Sequence, residues 1–262
     1  MSRNISIKSS IDWPIVFLYL ALVFLGWLNV YGASFDYDQT SIFDFSYRSG
    51  KQFIWIICAI GLGPKFKDSD IPDQVNGSIP SIKTYDTWYG VRGWRAITIR
   101  SNAIGQGEVQ VTPLQLANSV AVIANEGYYI TPHLHKCDSM LKHKHTSLID
   151  KKYFPVVKQG MWRVCEFGTG KWYKLDSISM CGKTGTVDNS HGRPHSLFVG
   201  FAPKDNPKIA IAVVIETSGF GATWANPIAS VLIEQYLTGE VKRIELVNRL
   251  KTSVTDPDVK KY

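Results

Sequence analysis

Three kinds of apolar run alternate with polar punctuation along the chain. The first, WPIVFLYLALVFLGWLNVYGA at 13–33, carries no charge and is the one continuous stretch long enough to span a bilayer, which takes about 20 apolar residues. Arg3 and Lys8 precede it as they would in a signal peptide, but its apolar core is longer than such a peptide's usual ~7–15 residues. The pattern predicts an uncleaved transmembrane helix. The second run, QFIWIICAIGLG at 52–63, ends at Pro64 and the charged KFKDSD. As a helix it would cover about 18 Å, against a hydrocarbon core of about 30 Å. It reads as a truncated stub that does not cross.

From residue 64 the runs become short and periodic, as in a folded domain. Residues 64–100 read as loop-rich, punctuated by Pro72, Gly77, Pro80, Gly90 and Gly93. TPLQLANSVAVIANEG at 112–127 carries full helix signals, with Thr112 to cap, Pro113 in the first turn and Gly127 at the exit. Apolar residues on two of its faces predict burial on most sides. GYYITPHL next reads as a strand and 155–167 as a helix. KIAIAVVIET at 208–217 has the length and β-branching of a central strand. A helix at 223–237 places Trp224, Ile228, Val231, Leu232 and Tyr236 on one face. The strands expected at 181–188, 195–202 and 208–217 are joined by links too short for parallel crossovers, so they are antiparallel. The expected fold is α+β: an antiparallel sheet with helices 112–126 and 223–237 packed on it. It covers 64–238 and is followed by a charged tail at 239–262.

Charge and composition narrow the function classes. The net charge of +7 is scattered among acids, and no aromatic-interleaved basic patch or zinc-finger spacing appears, so nucleic acid is not an expected partner. Cys58, Cys137, Cys165 and Cys181 show no recognisable spacing and leave the redox compartment open. His133, His135, Cys137, His143 and His145 crowd together, but they lack the paired spacing of a zinc site. His133 and His135 would share one face of a strand, with the others in a solvated loop. No metal and no cofactor is called for.

The chemistry lies in CGKTGT at 181–186. Lys-Thr-Gly is one motif of serine acyl-transfer enzymes that act on penicillin and peptidoglycan, which also need a Ser-x-x-Lys nucleophile. Four other blocks accompany it in order: SDIPDQVNGSIPS (69–81), NAIGQGEVQVTPLQLANSVAVIANEGYYITPHL (102–134), QGMWRVCEFGTG (159–170) and HSLFVGFAPKDNPKIAIAVVIE (195–216). Together these blocks make residues 64–238 resemble the C-terminal part of the transpeptidase domain of class B penicillin-binding proteins, close to penicillin-binding protein 2 of the elongation machinery. The resemblance implies a penicillin-binding, serine β-lactamase-like fold, with peptidoglycan stem peptides or β-lactams as ligands. It implies that Lys183 holds the electrostatic network around the nucleophile and that the hydroxyls of Thr184 and Thr186 receive the substrate's terminal carboxylate. Gly185 would let the substrate backbone approach, and the Thr186 backbone N–H would supply half of an oxyanion hole.

The nucleophile is not where the family keeps it. The formal Ser-x-x-Lys, Ser139 to Lys142, follows the Gly-Gln-Gly block instead of preceding it, and the formal Ser-x-Asn is Ser2-Arg3-Asn4 before the apolar helix. Both read as coincidences. Residues 1–63 resemble the beginning of RodA, the polytopic membrane glycosyltransferase that partners penicillin-binding protein 2. The chain therefore reads as a fusion near Gly61-Leu62-Gly63, a sequence plausible in either parent. The expected function is a D,D-transpeptidase-like domain of wall elongation, inactive for want of its nucleophile. The alternative is a non-catalytic, membrane-tethered binding module that docks elongation-machinery membrane proteins.

Arg3 and Lys8 flank the helix closely, whereas Arg48 and Lys51 lie well beyond it. Short positive flanks stay in the cytoplasm. This predicts an inner-membrane protein with a cytoplasmic amino terminus and a periplasmic C-terminal domain. A Lys204→Cys variant lacking the four native cysteines should react with a membrane-impermeant thiol reagent in intact spheroplasts. Labelling only after lysis would put the domain in the cytoplasm.

Overall fold

A computed structural model describes residues 61–91, 93–94, 107–135 and 143–253. The chain divides into two compact units, Met1–Trp55 and Ile56–Tyr262, and every described residue belongs to the second. The predicted span at 13–33, most of the stub at 52–63, Cys58, Cys137 and Ser139 lie outside the described residues. Among the described residues, no helix is long and apolar enough to cross a membrane.

In chain order the described elements are helices α1 (Ile82–Tyr89) and α2 (Pro113–Ala124), then strands β1 (Tyr128–Ile130) and β2 (Lys144–Thr146). Helix α3 (Phe154–Glu166) leads to strands β3 (Cys181–Val187), β4 (His195–Ala202) and β5 (Ile209–Ile215), and helices α4 (Ala225–Thr238) and α5 (Ile244–Thr252) follow. The last three strands form an antiparallel sheet in the order β3-β4-β5, with Thr184 opposite Phe198 and Phe198 opposite Val213. Helix α2 packs on β4 and β5, α3 packs along β3, and α4 packs on β4 and β5. The sheet thus lies between helices, with an apolar core on each side. One core joins Val120, Ala124, Met161, Cys181 and Phe201; the other joins Cys165, Met180, Phe198, Ala225, Ala229 and Ile233.

The expected helices and the three sheet strands are present with small shifts at their ends. Helix α2 begins with a capping box, in which the Thr112 side chain accepts from the Gln115 N–H at 3.2 Å and Gln115 Oε1 accepts from the Thr112 N–H at 3.0 Å. Gln115 is buried, and its Nε2 also donates to the carbonyls of Gly63 and Pro64 at 3.1 and 2.9 Å. The start of the described chain is thereby fastened to α2. Gly61 and Gly63 have φ of +77° and +101°, and a Cβ on Gly61 would stand 2.5 Å from Asn118 Nδ2. These glycines meet a need of this unit's own backbone.

Several local readings are corrected. The loop-rich 64–100 contains α1, started by a Ser81–Thr84 capping box that a scan for Glu or Gln overlooks. The charged tail at 239–262 contains α5, whose Val247 and Leu250 face Ile228, Val231 and Leu232 of α4. The apolar stripe predicted on α4 therefore meets α5 and solvent, with Leu232 48 % and Tyr236 64 % exposed. Ala225 and Ala229 turn to the sheet with Ile233, because small residues admit close helix-to-sheet contact, while buried Ser230 donates to the Tyr173 carbonyl instead. The strand expected at 127–134 ends at Ile130, so His133 and His135 lie beyond it, while His145 sits on β2 opposite Tyr129. Pro132 supplies no N–H to continue the ladder.

The sheet permits no side chain at Gly182, where a Cβ would stand 2.2 Å from the ring of fully buried Phe198. Overpacking of this kind costs about 1–3 kcal/mol. Gly182→Ala should lower the urea midpoint accordingly, and an unchanged midpoint would show that the ring can move aside.

Candidate active site

Lys183, Thr184, Gly185 and Thr186 all lie on β3, which among the described residues is an outer strand of its sheet. Alternation along the strand separates them by face. Lys183 and Gly185 share a face with their partners Val199 and Leu197; Thr184 and Thr186 share the α4 face with Phe198 and Ser196. The side chains of Leu197 crowd the place of a Gly185 Cβ, at 3.0–3.3 Å. Packing within the sheet alone therefore calls for a glycine at 185.

The backbone of β3 is oriented by a second glycine. A Cβ on Gly221 would stand 2.2 Å from the Gly185 carbonyl oxygen and 2.4 Å from that of Leu197. Two oxygens so close to one point must face each other between β3 and β4, so Gly185 and Leu197 form a hydrogen-bonded pair. The next residues along an antiparallel strand point their backbone groups the other way. The N–H and C=O of Thr184 and Thr186 are thus directed off the sheet edge. In agreement, Lys183 Nζ donates to the Thr184 carbonyl at 2.6 Å.

Two segments hold the edge from behind. Buried Ser196 of β4 donates to the carbonyl of Phe220, in the loop after β5, at 3.1 Å and accepts from the Ala225 N–H at 3.0 Å. The Gly221 N–H reaches Thr186 Oγ1 at 3.4 Å. On the other flank, α3 ends in a turn whose Gly168 and Gly170 N–H groups donate to Arg163 and Val164 carbonyls. That turn carries Thr169, whose hydroxyl lies 2.7 Å from the Thr184 hydroxyl. Buried Asn226, in the first turn of α4, donates from Nδ2 to the Gly170 carbonyl at 3.1 Å. The Gly-Thr-Gly at 168–170 carries no signal of a site role in the sequence; only tertiary structure brings it to β3.

His133 and His145 stand elsewhere, both against Thr131. His133 Nδ1 lies 2.7 Å from the Thr131 carbonyl, and His145 Nε2 lies 3.0 Å from the Thr131 hydroxyl. Asp70 clamps the same turn by accepting from the N–H groups of Leu134 and His135 at 2.6 Å each, and these bonds hold its carboxyl below the usual range.

A family model of the penicillin binding protein transpeptidase domain matches residues 57–234. The chain belongs to the penicillin-binding protein transpeptidase family. Among curated relatives, it is 28 % identical over 206 residues to the peptidoglycan D,D-transpeptidase MrdA of Haemophilus influenzae, covering 68 % of this chain and 32 % of the relative. It is 31 % identical over 157 residues to the peptidoglycan D,D-transpeptidase PbpA of Mycobacterium tuberculosis, covering 53 % of this chain and 32 % of the relative. The chain thus spans about a third of the length of these relatives. Among solved structures it is similar to penicillin-binding protein 2 of Pseudomonas aeruginosa in complex with WCK 5153, with TM-score 0.60, 29 % identity and coverage of 72 % and 43 % of the two chains. It is also similar to penicillin-binding protein 2 of Helicobacter pylori in complex with MreC, with TM-score 0.61, 26 % identity and coverage of 70 % and 34 %.

Within this transpeptidase-family domain, β3 begins at a buried thiol. Burial pushes both Cys181 and Cys165 up to about 12 from the ordinary 9.0. The thiolate is the reactive form, so at pH 8 both should resist alkylation in the folded protein by roughly a thousandfold from acidity alone. Mass spectrometry after iodoacetamide treatment should find both modified only in urea. Rapid native modification of Cys181 would mean that β3 is frayed.

Proposed function

We propose that residues 64–238 form the substrate-binding half of a peptidoglycan D,D-transpeptidase site of wall elongation, and that these 262 residues do not acylate. The observation carrying the first part is the edge of β3, with the backbone groups of Thr184 and Thr186 directed outward beside Lys183. An outward N–H at Thr186 suits an oxyanion donor, whose loss typically costs ~10²–10³ in rate. Thr184 and Thr186 are the hydroxyls for a terminal carboxylate, and Lys183 supplies positive charge beside them.

The second part rests on the sequence. A Ser-x-x-Lys ahead of the Gly-Gln-Gly block is absent from these residues. An oxyanion hole and binding contacts do not replace an activated nucleophile. The resemblance of residues 1–63 to RodA supports a membrane tether with the domain in the periplasm. A second reading, a non-catalytic docking module, is favoured by exposed Leu232 and Tyr236 on α4 and by the similarity to a penicillin-binding protein solved with MreC.

A fluorescent penicillin separates the outcomes. The full chain should show no covalent label after denaturing electrophoresis, whereas label abolished by Ser139→Ala would establish an active enzyme that uses the displaced Ser-x-x-Lys at 139–142.

A further inference from the structure

We propose that Thr169 is a positioning residue of this site, setting the direction in which the Thr184 hydroxyl donates to the terminal carboxylate of a stem peptide. The inference rests on the transpeptidase reading of β3 and extends it to a residue outside the Lys-Thr-Gly strand.

The two hydroxyl oxygens lie 2.7 Å apart, and either can be the donor. Each hydroxyl has one proton and two acceptor positions, while an ionised carboxylate only accepts. If Thr184 donates to Thr169, its single proton is spent inside the pair. If Thr169 donates to Thr184, the Thr184 proton is free to point outward. A bound carboxylate selects the second arrangement, and a donor that itself accepts a hydrogen bond is polarised to donate more strongly.

The mount of Thr169 suits orientation better than stability. Thr169 is exposed, so water competes for its hydroxyl and the pair adds little to folding. Its backbone is nonetheless fixed on both flanks. The Gly168 N–H donates to Arg163 and Val164 carbonyls at 3.0 and 3.2 Å, and a Cβ there would stand 2.9 Å from Val164 Cα. On the other flank the Gly170 N–H donates to the Val164 carbonyl at 3.0 Å, while its own carbonyl is held by fully buried Asn226. β-Branching restricts χ1 of both threonines as well. A solvent-facing hydroxyl is thus carried on a turn that cannot drift.

The test uses the full chain in detergent with ¹³C-labelled threonine methyls, followed by NMR. Two probes are titrated: diacetyl-L-lysyl-D-alanyl-D-alanine and the same peptide ending in a carboxamide. Thr169→Val should raise Kd for the acid roughly three- to tenfold, the scale of one charge-assisted hydrogen bond losing its preset direction. Its Kd for the amide should stay unchanged, and Thr169→Ser should restore acid binding. In the free protein, three-bond couplings should show Thr184 χ1 in one rotamer, becoming averaged in Thr169→Val. Acid binding by Thr169→Val equal to the parent's would overturn the role of Thr169 while leaving the transpeptidase reading intact. Equal losses for acid and amide would also overturn it, by pointing to a disturbed fold. A parent chain that binds neither peptide would refute the reading of β3 itself and take this role down with it.

Discussion

Gly221 lies where any side chain would collide with the carbonyls of Gly185 and Leu197. That contact lets the loop after β5 press directly on the β3–β4 ladder, and it marks which backbone groups the pairing turns inward. Because Gly185 is turned toward β4, its neighbours Thr184 and Thr186 are turned to solvent. A binding edge needs both conditions: free outward groups and a strand that cannot move. The buried hydroxyl of Ser196 secures the same loop from below, to Phe220 on one side and Ala225 on the other. Helix α4 then starts without a side-chain cap of its own, its first amides satisfied by Ser196 and by the Gly221 carbonyl. One glycine therefore couples the sheet, the helix start and the orientation of the candidate oxyanion donor.

Much of this was legible because it depends on local order. Period and capping located α2, from Thr112 and Pro113, and apolar runs of strand length with short links predicted three antiparallel strands. What stayed hidden depends on contacts between distant segments. Helix α1 is capped by a Ser81–Thr84 pair that lacks the usual Glu or Gln. Helix α5 is short, and its apolar residues matter only against the outer face of α4. The shared apolar face of α4 does not show which side meets the sheet, because hydrophobicity ranks Leu232 and Tyr236 above Ala225 and Ala229, whereas close approach to a sheet favours small residues. In the site, the Lys-Thr-Gly residues were legible from their motif. Their separation onto two faces follows from simple alternation, but the orientation of the backbone needed Gly221, 36 positions from Gly185 in sequence.

The two threonines of β3 show how an edge strand carries different functions on one segment. Their side chains share the α4 face, where Thr169 and the Gly221 N–H meet them. Their backbone groups face the open edge. Lys183, on the opposite face, curls round to the Thr184 carbonyl. Charge, hydroxyls and an amide donor therefore reach the same margin of the sheet from three directions, which suits an extended peptide lying along it.

The fastening of Gly63 and Pro64 to Gln115 has a mechanical consequence. A load applied at these two residues passes through two hydrogen bonds to the first turn of α2. Helix α2 spreads it over β4 and β5, on which it packs. Val120 and Ala124 of the same helix also share a core with Cys181, the first residue of β3. One helix therefore joins the start of the described chain to the strand that carries Thr184 and Thr186.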